Sequence, residues 1–143
     1  MNAVSAAFGS DNRSAGGLPD IRFVHWLPRL LLAGIIFQQG FMKFPLVATT
    51  AESLGIPFAL YALAAVSQIA AAVALVAGGF MRNLYGDVLT RLGGLAIAGV
   101  TLAVLIMVYS VFTMAPEMIW AVNKLHLLLV AGGLYFMARG NAA

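Results

Sequence analysis

The stretch Arg29-Leu-Leu-Leu-Ala-Gly-Ile-Ile-Phe-Gln-Gln-Gly-Phe-Met-Lys43 narrows the folds open to this chain more than any other. It is apolar almost throughout, with a cation at each end and two glutamines and a glycine near its far end. Such a segment crosses a bilayer when Arg29 and Lys43 sit near opposite interfaces, where long cationic stems let the charge reach water. Gln38, Gln39, Gly40 and Lys43 then share the last turns of that helix. Polar side chains at this depth require protein or water partners, so this end is expected to face other helices. Three further apolar stretches follow and are expected to pack around it.

Composition extends the argument to the whole chain. Of its 143 residues, 62% are hydrophobic and 9% charged, where a soluble domain carries roughly 25% charged residues. The mean hydropathy is +0.96. These values predict an integral membrane protein with no separate soluble domain. No basic cluster with interleaved aromatics occurs, which excludes nucleic-acid binding. The chain has no Cys, which excludes disulfides, thiolate metal sites, Fe–S clusters and Cys-anchored haem. The seven Met are scattered and read as packing residues rather than soft-metal ligands.

Residues 1–20 form a polar, small-residue stretch without the continuous apolar run of a signal peptide, and are expected to be a flexible tail. Residues 21–143 are expected to form one domain with membrane helices at about 27–44, 57–80, 92–113 and 118–138. Trp26 suits an interface, Pro28 a first helical turn, and Pro45 a helix stop; His25 reads as interfacial. Thr49-Thr-Ala-Glu52 matches a capping box, predicting a short surface helix closed by Gly55, with Pro57 as the first position of the second membrane helix. That second helix is alanine-rich, and Gln68 near its middle is expected to find an interhelical partner. Met81 to Arg91 reads as a polar loop, and Met114 to Glu117 as a tight turn. Gly93, Gly94, Ala98 and Gly99 give the third helix a smooth face, with small-xxx-small spacing from Gly94 to Ala98.

Arg13, Arg22, Arg29, Arg82, Arg91 and Arg139 collect on the N-terminal side, against Lys43 and Lys124 on the other. The positive-inside rule then predicts an all-α, antiparallel up-down four-helix bundle with both termini cytoplasmic, in a bacterial-type inner membrane. Alternating direction brings the end of the first helix and the start of the fourth to one face. Gln38, Gln39, Lys43, Asn123, Lys124 and His126 therefore lie at comparable depth, with Glu52 and Glu117 in the loops above. Gln39, Lys43, Gln68, Lys124 and His126 form the candidate ligand-binding set, for a quinone or lipid headgroup. Ammonium, amide and imidazole N–H groups are the donors a quinone carbonyl needs. The competing reading is that Lys43 and Lys124 snorkel, pair with Glu52 and Glu117, and mark the membrane boundary. No Ser-His-Asp set, phosphate loop or paired buried carboxylates occur. His25 and His126 belong to opposite sides, so neither a bis-His haem nor a metal site is expected. The residues encode no self-sufficient catalytic set and no covalently held cofactor.

Several segments carry a family resemblance: Arg29-Leu-Leu-Leu-Ala-Gly34 with Phe37, Gly40 and Lys43; Gly55-Ile-Pro57; Ala64-Ala-Val-Ser-Gln-Ile-Ala-Ala-Ala-Val-Ala-Leu-Val-Ala-Gly78; and Thr90-Arg-Leu-Gly-Gly94. Over most of residues 27–138 the chain resembles the DoxX family of small four-helix membrane proteins. It departs from many members at Gln68, where they carry an acidic residue. The family takes its name from a subunit of a thiosulfate:quinone oxidoreductase. The resemblance therefore implies an accessory or quinone-associated subunit of a larger membrane oxidoreductase complex, with protein subunits as partners and a quinone or bound lipid as ligand. The residues leave a second class open, a small-solute carrier or permease acting as a homo-oligomer, with the polar cluster and Gln68 as its path.

Overall fold

The structure, a computed structural model, describes residues 26–108 and 115–142. The N-terminal tail, His25, Tyr109 and the expected end of the third membrane helix at 113 lie outside the described residues. Every regular element among the described residues is helical: α1 (Trp26–Lys43), a 3-10 turn (Phe44–Leu46), α2 (Val47–Ser53), α3 (Phe58–Phe80), α4 (Leu84–Met107), α5 (Pro116–Arg139) and a closing 3-10 turn (Gly140–Ala142).

Trp26–Ser53, Phe58–Phe80 and Leu84–Met107 are each long and apolar enough to cross a membrane. The 23 residues of α3 reach about 34 Å at 1.5 Å per residue, against a hydrocarbon core of roughly 30 Å. The exterior agrees. Leu31, Phe41, Phe58, Leu63, Val73, Leu92, Leu95 and Leu128 all point outward and are exposed. A shell this apolar would aggregate in water, and lipid tails solvate it. The chain is a multi-pass membrane protein with a lipid bilayer as its surroundings.

Inside a bilayer the hydrophobic effect does little to hold helices together, so close backbone approach must do more. Small residues line every long-helix contact. A Cβ added to Gly40 of α1 would lie 2.9 Å from the Ala65 carbonyl of α3. One added to Gly93 of α4 would lie 3.1 Å from the Ala71 carbonyl of α3. The tightest crossing joins α4 to α5, where a Cβ on Gly94 would meet Gly133 O and Met137 N at 2.6 Å. Leu32, Ile36, Leu75, Ile97, Leu129 and Phe136 fill the space between these crossings. Arg29 meets Leu75 while Lys43 meets Gln68, so α1 and α3 run in opposite directions. Gly94 meeting Gly133 and Arg91 meeting Met137 show the same for α4 and α5.

Four helix starts differ from the sequence expectations. The polar segment before residue 92 is not a loop to its end, because α4 begins at Leu84. Asn83 caps it by accepting a hydrogen bond from Gly86 N at 2.9 Å, and Asp87 and Arg91 pair one turn apart at 2.7 Å. The short α2 starts at Val47 without any side-chain cap. Thr49 does not cap it but donates back to Leu46 O at 3.2 Å. Gly55 ends that segment with φ +65°, a backbone setting that glycine adopts freely. Pro57 precedes α3 as its cap residue rather than opening it, and α5 begins at Pro116.

Candidate functional site

Position on the helical wheel decides which polar residues can meet. Gln39 and Lys43 are one turn apart on α1, so both side chains look the same way. Gly40 beside them is pressed against α3. That closeness lets Lys43 reach the buried Gln68, where Nζ donates to Oε1 at 2.6 Å. The ammonium also lies 5.7 Å from the centroid of the Tyr61 ring, a cation–π contact from α3. The acceptor for Lys43 is therefore a neutral amide and an aromatic face, not Glu52 as boundary snorkelling would have it. Glu52 is exposed, as is Glu117.

A recess of ≈ 370 Å³ opens around this pair. Its lining joins Gln39, Met42 and Lys43 of α1, Leu54 after α2, Tyr61 and Gln68 of α3, Thr101, Val104 and Val108 of or just after α4, and His126 of α5. Four of the five residues read from sequence as the candidate set thus line one space: Gln39, Lys43, Gln68 and His126. Lys124 does not join them and is exposed. Each residue turns a helix by about 100°, so Asn123 and His126 fall near one face while Lys124 swings away from it. Gln38 is exposed for the same reason, and its amide meets the Met42 sulfur at 4.0 Å.

Sequence reading missed Thr101 and Tyr61. Thr101 Oγ1 is buried with no hydrogen-bond partner among the described residues, as are both amide atoms of the 0%-exposed Asn123. Each such group costs about 1–3 kcal/mol unless water or a ligand satisfies it. A threonine facing inward one helical repeat from Ile97 and Leu105 was detectable as a polar residue on a buried stripe.

The recess continues into an apolar groove of ≈ 240 Å³ between α3 and α4. The groove is lined by Leu60, Leu63, Ala64, Val100, Ala103 and Met107 among others, and shares Lys43, Tyr61, Val104 and Val108 with the recess. A recess carrying several polar side chains therefore shares a wall with an apolar groove.

The opposite end holds a second polar assembly, built around Arg29 and Asn141. Arg29 does not snorkel: it is 2% exposed. Its Nη1 donates to Leu75 O at 2.8 Å and Thr90 Oγ1 at 3.1 Å, and Nη2 to Asn141 Oδ1 at 3.3 Å. The guanidinium carbon lies 5.0 Å from the Phe136 ring centroid and 5.6 Å from that of Trp26. Asn141 knots the end together. Its side chain donates to Gly78 O and Met81 O, its backbone N–H to Asp87, and its Oδ1 also accepts from Thr90 at 2.7 Å. Arg91 adds donors to the last carbonyls of α5, Met137 O at 3.1 Å and Ala138 O at 2.7 Å. Among the described residues no three His, Cys, Asp or Glu converge as metal ligands would.

Compared with family models, curated proteins and solved structures, the chain matches none.

Proposed function

We propose that the chain is a quinone-associated integral membrane subunit of a larger oxidoreductase complex, related to the DoxX proteins, with its quinone headgroup held in the Lys43 recess. The observation that carries this reading is the wall at Lys43, Tyr61, Val104 and Val108 shared by the apolar groove and the recess that holds Gln39, Gln68, Thr101 and His126. A quinone has the same two-part chemistry, a ring bearing two carbonyl acceptors and an apolar isoprenoid tail. Lys43 offers further N–H donors beyond the one given to Gln68, and Thr101 offers an O–H. Reduction builds negative charge on a carbonyl oxygen, which a cation partnered only by neutral groups stabilises. His126 is the side chain there that can both give and accept a proton. Electrons would come from a partner subunit. A lipid headgroup is the competing occupant for the same donors.

The test is binding of a short-tailed quinone analogue to Lys43→Met with His126→Leu, which keeps size and removes the donors. Affinity is expected to fall roughly a hundredfold, about 1.4 kcal/mol for each factor of ten. Unchanged affinity and normal assembly would remove the quinone role and leave the cluster as a boundary.

In this reading α5 is the fourth membrane span, since its 24 residues are long enough and expose Leu125, Leu128 and Leu134. The end bearing Arg29, Arg82, Arg91 and Arg139 faces the cytoplasm of a bacterial-type cell, and the Lys43 recess opens toward the outer leaflet. Single cysteines at Ser53 and at Tyr85, which is 76% exposed and spares the Asn83 cap, test this in a chain with no Cys. An impermeant thiol reagent applied to intact spheroplasts is expected to label position 53 and not 85. The reverse pattern inverts the topology.

A further inference from the structure

Arg29 is a fully buried cation whose three hydrogen-bond partners, Leu75 O, Thr90 Oγ1 and Asn141 Oδ1, are all neutral. Its Nε is buried and has no hydrogen-bond partner among the described residues. Among the described residues no carboxylate pairs with it, and the nearby Asp87 is already engaged by Arg91 and by Asn141 N. A buried charge without a counter-ion is strongly disfavoured, so this arrangement calls for an anion. Beside it lies a recess of ≈ 370 Å³, lined by Trp26, Arg29, Arg82, Asn83 and Asn141 together with Gly79 and Met81. Gly79 lets Arg29 and Trp26 pack against α3 here, since a Cβ at this position would lie 2.7 Å from Arg29 Nη1 and 2.9 Å from the Trp26 ring. The exposed Arg82 stands at its rim. Both cations are arginines, whose planar forks match the oxygens of a phosphate.

We infer that this recess binds a phosphate oxyanion, held between the buried Arg29 and the rim Arg82, with Trp26 against it. The oxyanion can belong to an anionic phospholipid head at the membrane surface or to a free phosphate. This site lies at the end of the helices opposite the Lys43 recess and stands independently of any quinone role.

The full chain in lipid-free mild detergent, carrying Trp120→Phe so that Trp26 is the sole indole, is titrated separately with phosphatidylglycerol, phosphatidylcholine and inorganic phosphate. Native mass spectrometry and Trp26 emission report binding. Phosphatidylglycerol is expected to bind about tenfold tighter than phosphatidylcholine, and Arg82→Gln to weaken it about tenfold at an unchanged melting temperature. A saturable Trp26 response to inorganic phosphate that competes with phosphatidylglycerol assigns the site to free oxyanions; a response to the lipid alone assigns it to the bilayer head. Arg29→Lys keeps the charge and loses the fork, and is expected to weaken binding similarly. If that variant fails to fold, Arg82→Gln alone decides. An Arg82→Gln chain with wild-type affinity for both probes overturns the assignment, as does the absence of saturable binding by either.

Discussion

Leucine in place of Gly94 is expected to abolish the folded state in detergent, while Leu102→Ala leaves the melting temperature nearly unchanged. The first carbon of any side chain at 94 would sit 2.6 Å from Gly133 O and from Met137 N. Both are helix backbone, which cannot rotate away as a side-chain tip could. Gly133 repeats the problem from the other side, with Ala98 N and Gly94 O at 2.7 Å. Overpacking a core commonly costs about 1–3 kcal/mol, and a clash with two backbone atoms belongs at or beyond the top of that range. Separating α4 from α5 would also cost the dispersion contacts that stand in for the hydrophobic effect within lipid. Leu102, by contrast, is 47% exposed on the outer surface of α4, so its truncation removes contacts mainly with lipid and is expected to stay within about 0.5 kcal/mol. Equal melting temperatures for the two variants would refute close packing at this crossing.

Asn141→Ala is expected to destabilise the protein by about 3 kcal/mol, an effect far larger than its place near the C-terminus suggests. The change removes the acceptor shared by Arg29 Nη2 and Thr90, and takes the donor from the carbonyls of Gly78 and Met81. Most of the cost comes from leaving a buried guanidinium with one partner fewer. Gly140, with φ +59°, sets the chain reversal that aims Asn141 back into the helices. Asn141→Asp separates the contributions: it restores an acceptor for Arg29 but not the donors, and is expected to recover only part of the loss. If residues 140–142 were a loose segment, Asn141→Ala would fall within the usual ±0.5 kcal/mol or so of a surface change, and a detergent melting series distinguishes the two.

These expectations show how legible each end was in the sequence. The Lys43 end could be read because its polar residues interrupt apolar runs at matching depths, and polar groups in lipid must converge on one another. Gln39, Lys43, Gln68 and His126 do converge. Lys124 shares that depth but not that face, because the angle around α5 also decides what a side chain meets. Arg29 was misread although the signal was present. It shares a helical stripe with Leu32, Ala33, Ile36 and Gly40, all buried, so the spacing alone put it on the inner face. Its place beside the interfacial Trp26 suggested a snorkelling cation instead. Asn141 carried no such signal, because a lone asparagine after a helix is ordinary until its partners are known.

What this sequence determined alone is therefore the solvent and the elements. Its scarcity of charge, the lengths of its apolar runs and the glycine and alanine faces suffice for helices in a bilayer, since every backbone polar group there must be bonded within its own segment. Which faces meet was left to tertiary structure, because several small-residue stripes compete on equal terms. Gly99 looked as suited to a contact as Gly94, yet nothing lies within 4 Å of the carbon it lacks. The roles of Lys43 and Arg29 were decided the same way. Each is one cation near a helix end, and only the neighbours brought to it by packing make one a bonded wall of an open recess and the other a buried charge.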